Sequence, residues 1–101
     1  MSQTINIGGM VAGGFDATGK YLLTVSHSGR GVFESGAWKR VARENATAYP
    51  EGGFSFGIGP LEGVTVKVHE IDYTTGILEF TSPDNSHRLR YSEGLLEISS
   101  T

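Results

Sequence analysis

Ser26-His27-Ser28 sets two hydroxyls beside an imidazole, the residue types from which hydrolases build a nucleophile and its general base. Asp16 or Asp72 is the acid that would orient the ring. The spacing works against a triad, because neighbouring strand residues point to opposite faces. No Gly-x-Ser-x-Gly elbow occurs either. Ser26, His27 and Ser28 stand as the catalytic candidates, and a small hydrolase is the last of three functional readings. Glu70 and Asp72, two apart, fall on one strand face, where carboxylates ordinarily serve as solvated charge.

Trp38-Lys39-Arg40-Val41-Ala42-Arg43 is the one basic cluster, with an aromatic at its start. Single-stranded nucleic acids are bound by such mixtures of cations and rings, but the chain's pI of about 5.5 makes this a thin footprint. The cluster is expected instead to be a charged strand edge that meets acids on a protein partner. Tyr49-Pro50-Glu51-Gly52-Gly53-Phe54-Ser55-Phe56-Gly57-Ile58-Gly59-Pro60 combines glycines, which let a ligand approach the backbone, with rings that could stack on it. It lacks the third glycine of a dinucleotide loop and the Gly-Lys-Ser/Thr of a phosphate-binding loop. Its alternation of Phe54, Phe56 and Ile58 also fits an ordinary strand with a buried face. The binding candidates are therefore Trp38, Tyr49, Phe54 and Phe56 as anchors, with Lys39, Arg40 and Arg43 as a charged rim. His27, His69 and His87 have no metal-ligand spacing, so neither a metal nor another cofactor is expected.

These residues need elements to hold them, and the chain reads as all-β. Fifteen glycines punctuate short apolar alternations, the pattern of strands joined by tight turns. Strands are expected at Thr4 to Ile7, Met10 to Ala12, Tyr21 to Ser26, Gly31 to Glu34, Ala37 to Val41, Val64 to Tyr73, Ile77 to Ser82, Arg88 to Tyr91 and Leu95 to Ser99. In the long run from Val64 the apolar face switches after Val68 to Ile71 and Tyr73. A bulge near His69 and Glu70 would account for it.

Residues 15–41 and 71–98 share an order of apolar-Asp, Thr-Gly turn, strand, polar turn, strand, small-residue-Gly turn and strand. A weak internal repeat joined by the loop 45–63 is one expectation from this. Two antiparallel meanders of about 7–9 short strands in all, packed as a two-sheet sandwich or flattened barrel, are the expected fold. Phe15 to Val41 also resembles one blade of a WD40-type β-propeller through Asp16-Ala17-Thr18-Gly19-Lys20-Tyr21. The Trp-Asp signature is absent, and the likeness is one of turn grammar.

A chain of 101 residues suits one domain, 1–101, with one core. The lack of cysteine excludes disulfides, thiolate zinc sites and cysteine nucleophiles. No stretch approaches the roughly 20 apolar residues of a membrane span, and the first residues lack a basic start and an unbroken apolar run. A cytoplasmic location and no membrane partner are the expectations. The first 50 residues carry five Lys/Arg against three Asp/Glu, and the remainder three against eight, so the halves could attract each other or a second copy. Together these features place first a non-catalytic binding module for a protein partner or for self-association. Second comes a β-barrel that holds a sugar, nucleotide or lipid-like small ligand.

Overall fold

The computed structural model describes residues 2–45, 54–55 and 65–100. Turn chemistry divides these residues into strands. Asp16 accepts hydrogen bonds from the Thr18 hydroxyl and, at 3.0 Å, from the Tyr21 N–H. That carboxylate closes the turn between β2 (Met10–Phe15) and β3 (Tyr21–Ser26). Glu93 and Gly94 both have positive φ, 52° and 82°. They form the mirror-image turn whose twist matches the strands it joins, β10 (His87–Ser92) and β11 (Leu95–Ser100).

The protein is an antiparallel two-sheet sandwich, with no helix among the described residues. In the four-stranded sheet, β1 (Ser2–Asn6) pairs with β11, β11 with β10, and β10 with β9 (Leu78–Thr81). The five-stranded sheet runs β5 (Lys39–Glu44), β4 (Gly29–Glu34), β3, β2 and β8 (His69–Glu70). A two-residue ladder joins β6 (Phe54–Ser55) to β7 (Thr65–Val66). Each long meander thus builds its own sheet; the chain crosses from the four-stranded to the five-stranded sheet between β1 and β2, leaves it for the β6–β7 ladder, rejoins it at β8 and crosses back between β8 and β9.

The core between the sheets holds Phe15, Leu22, Phe33 and Trp38 of one side against Leu78, Phe80, Leu89, Tyr91, Leu96 and Ile98 of the other. Buried apolar area is the main source of stability in such a layer. Tyr91 adds a polar tie. Its buried hydroxyl donates to the Ile7 carbonyl at 2.7 Å and accepts from the Met10 N–H at 3.1 Å, which fixes the crossing from β1 to β2.

A second apolar cluster lies on the far side of the five-stranded sheet. Ala12, Leu23, Val25, Val32 and Val66 are each fully buried there, with Val68 against them. The segment from β7 to Val68 is the cover for that face. Consequently β3 is buried on both faces, and its alternation does not mark an inside and an outside.

The single strand expected from Val64 to Tyr73 is corrected by this arrangement. It is two dipeptide strands in separate ladders, β7 and β8, with the break at Lys67-Val68 rather than at His69-Glu70. Tyr73, expected inward, is 69% exposed in the turn that follows. The strand expected from Ala37 begins at Lys39 and continues to Glu44, because Ala37 and Trp38 belong to the turn. Trp38 sits at φ 55°, a costly conformation for a bulky residue. Its ring is held there by edge contacts to Phe15 at 6.3 Å and His87 at 5.2 Å.

Candidate functional site

Between β4 and β5 the register shifts at Val41, so that Arg40 faces Phe33 and Arg43 faces Gly31. Residues three apart on a regular strand would lie on opposite faces, and the bulge puts both arginines on one. That face is the one turned toward the four-stranded sheet, since Phe33 belongs to the core between the sheets. Along β3 the same face carries Leu22, then Thr24, then Ser26, and along β4 Phe33, Gly31 and Gly29. The inner surface of the sandwich is therefore apolar at one end and polar at the other.

At the polar end a cleft of about 210 Å³ opens between Thr24, Ser26, Ser28, Arg40 and Arg43 on one side and Asn6, Ile7 and Gly8 on the other. Gly31 forms part of the floor. A Cβ there would stand 3.3 Å from Thr24 Oγ1 and 3.6 Å from Arg40 Nε, so the bare backbone leaves room for the arginine stem. Arg40 lies over the Phe33 ring, 5.3 Å from guanidinium carbon to centroid, a stacking that limits its rotamers. Among the described residues no carboxylate forms an ion pair with Arg40 or Arg43. Arg30 does have such a partner, the Glu44 opposite it in the ladder.

The hydroxyls of the cleft are already in use. Thr24 Oγ1 donates to the Gly31 carbonyl at 3.4 Å and Ser26 Oγ to the Gly29 carbonyl at 3.2 Å. Ser26 Oγ lies 3.0 Å from Ser28 Oγ and accepts the Ser28 N–H at 3.3 Å. His27 leaves this group, with its ring against Gly9 and its backbone N–H donated to the Gly9 carbonyl. The two serines and the histidine that could have formed a nucleophile and base are thus adjacent in sequence and divergent in space. The acids proposed beside them cap turns instead, Asp16 as described and Asp72 by accepting the Thr74 N–H at 2.8 Å.

Of the expected binding residues, Lys39, Arg40 and Arg43 are exposed on β5. Trp38 is not available as an anchor, being 8% exposed and packed in the core. Tyr49 and Phe56 lie outside the described residues, as does most of the loop 45–63. Phe54 is placed by its backbone pairing with Val66. The three histidines are apart, His27 at Gly9, His69 stacked on Phe80 at 5.3 Å and His87 edge-on to Trp38. Cover of the His69 imidazole by its neighbours, and then the Lys67 charge, lower its pKa below 6.5.

Asn6, Thr24, Gly29 and Gly31 are cleft residues that sequence reasoning did not single out. The available signal was Thr24 and Ser26 alternating with Leu23 and Val25, a polar row of period two inside an apolar strand. No protein family, curated protein or solved structure matches the chain.

Proposed function

We propose that the chain is a non-catalytic binding module that recognises a protein partner, or a second copy of itself, by adding an extended segment to the outer edge of β5. The supporting observation is the position of β5. It ends the five-stranded sheet, spans Lys39–Glu44, and among the described residues pairs only with β4. An edge strand presents a row of backbone donors and acceptors that an added strand satisfies, with side-chain positions supplying selectivity. Here those positions are Lys39, Arg40 and Arg43, with Val41 40% exposed between them. The partner segment that suits them is extended and acidic, and the acid-rich second half of this chain offers that chemistry in the self-associating case.

Light scattering across micromolar concentrations, together with capture of partners on immobilised protein, tests the reading. Wild type should associate or retain a partner, and Lys39→Glu combined with Val41→Glu should abolish it while the fold persists. A monomer that retains nothing, or retention that survives the double variant, contradicts the proposal.

A second reading has its own support, the cleft behind β5. A small ligand held there would engage Arg40 and Arg43 together with Asn6, Thr24, Ser26 and Ser28, which edge recognition leaves idle.

A further inference from the structure

The cleft has a charge and a donor set that specify its ligand more closely. Two guanidinium groups share one face because of the bulge at Val41, and among the described residues neither is neutralised by a carboxylate. Arg40 is also braced by the Phe33 ring. Opposite them, Asn6 brings an amide from the end of β1, and the exposed Ser28 hydroxyl can turn its proton away from Ser26 toward a stronger acceptor. Thr24 and Ser26, whose protons are bound to strand carbonyls, form the floor.

From this geometry we infer a phosphate-binding site in the cleft, with Arg40 and Arg43 as the charged ligands and Asn6 and Ser28 as the neutral donors. A phosphate monoester near neutral pH carries about −1.5 to −2 charges and three acceptor oxygens. Two guanidiniums neutralise that charge, and arginine presents its donors in the fork geometry that phosphate accepts. A lone carboxylate would leave one of the two cations uncompensated. The site deepens the small-ligand reading; it shares Arg40 and Arg43 with strand addition at β5, but that reading is tested at Lys39 and Val41, so the two fail separately. Its phosphate can come from a small phosphoester or from a phosphorylated side chain of a partner.

The test is an NMR titration of the full chain with O-phosphoserine, with an extended phosphoserine peptide and with the unphosphorylated peptide. Saturable shifts are expected at Asn6, Ser28, Arg40 and Arg43 with both phosphorylated probes. Arg40→Gln and Arg43→Gln should each weaken binding about tenfold or more, the loss of a charge-assisted hydrogen bond. Lys20→Gln, a cation exposed in the turn between β2 and β3 and outside the cleft, should leave affinity within about twofold, since an exposed charge off the site contributes little. Equal affinity for the two phosphorylated probes assigns a small phosphoester, and tighter peptide binding assigns a partner's side chain. The proposal is overturned by absence of saturable shifts, by succinate or the unphosphorylated peptide binding as well as phosphate, or by binding that persists in the Arg40→Gln/Arg43→Gln double variant. Melting curves establish that each variant is folded, and both arginines are exposed enough for substitution to spare the core.

Discussion

Replacing Gly14 by alanine probes the cover over the outer face of the five-stranded sheet. A Cβ at Gly14 would lie 2.2 Å from the Lys67 carbonyl oxygen and 3.2 Å from Val68 Cα. Ordinary contact begins near 3.4 Å, so the Lys67-Val68 backbone must retreat by about 1 Å. That backbone carries Val66 and Val68 onto Leu23 and Val25, and its retreat opens the second cluster as well. Overpacking of this kind costs about 1–3 kcal/mol, from which alanine's lower unfolded-state entropy returns about 0.4–1 kcal/mol. Gly13 is the internal control. Its nearest neighbour is Met10 Cε at 2.6 Å, the end of a flexible side chain that can move aside, so Gly13→Ala should cost at most about 1 kcal/mol. Urea unfolding of both variants measures the difference. For a domain of this size the net loss, up to about 2.6 kcal/mol, lowers Tm by up to roughly 20 °C. If Gly14→Ala is as stable as wild type, or no worse than Gly13→Ala, the 67–68 segment does not cross β2 at that point.

Tyr91→Phe removes a hydroxyl and strands the buried Ile7 carbonyl and Met10 N–H; denaturation should show a loss of about 1–3 kcal/mol with the m-value retained. Asp84 accepts hydrogen bonds from the Ser86 hydroxyl and N–H and the Ser82 hydroxyl, which lower its pKa to about 2. Because the folded value is depressed, the stability it contributes is present above the unfolded value of 3.8 and is lost as pH falls toward 2. An NMR titration of Asp84 should show the low midpoint, and Ser86→Ala should raise it. His69 is shifted downward, so the folded state favours its neutral form and stability declines as pH falls below 6.5, where the unfolded chain gains the proton first. Replacing Lys67 by glutamine should raise the His69 midpoint in the same experiment.

Strand positions were the most legible part of the fold, because glycine and Asx turns mark ends that local chemistry alone determines. Tyr21 to Ser26 is read to the residue, and Leu95 to Ser99 within one. The run from Val64 was misjudged because period-two alternation describes any strand buried on one side. Here Val66 packs on one sheet's outer face, while three residues later the chain joins that sheet's edge. Trp38 was misassigned for a related reason: a large ring next to cations looks like an exposed anchor, and only the turn at φ 55° reveals that it points inward. The cleft illustrates a further limit. Arg40 and Arg43 were recognisable as a basic rim, but their common face depends on a register shift against β4. Thr24 and Ser26 look outward in a strand whose apolar partners, Leu23 and Val25, are covered by a segment more than forty residues away.

Hydrogen exchange of the β5 amides, free and at partner or self-association saturation, tests recognition at this edge most directly. In the free protein the amides of Lys39–Glu44 that face away from β4 should exchange rapidly, while those bonded to β4 are slow. At saturation the outward set should slow by about tenfold or more, as added strand hydrogen bonds require. Protection that appears on the four-stranded sheet, with β5 unchanged, would contradict strand addition at β5.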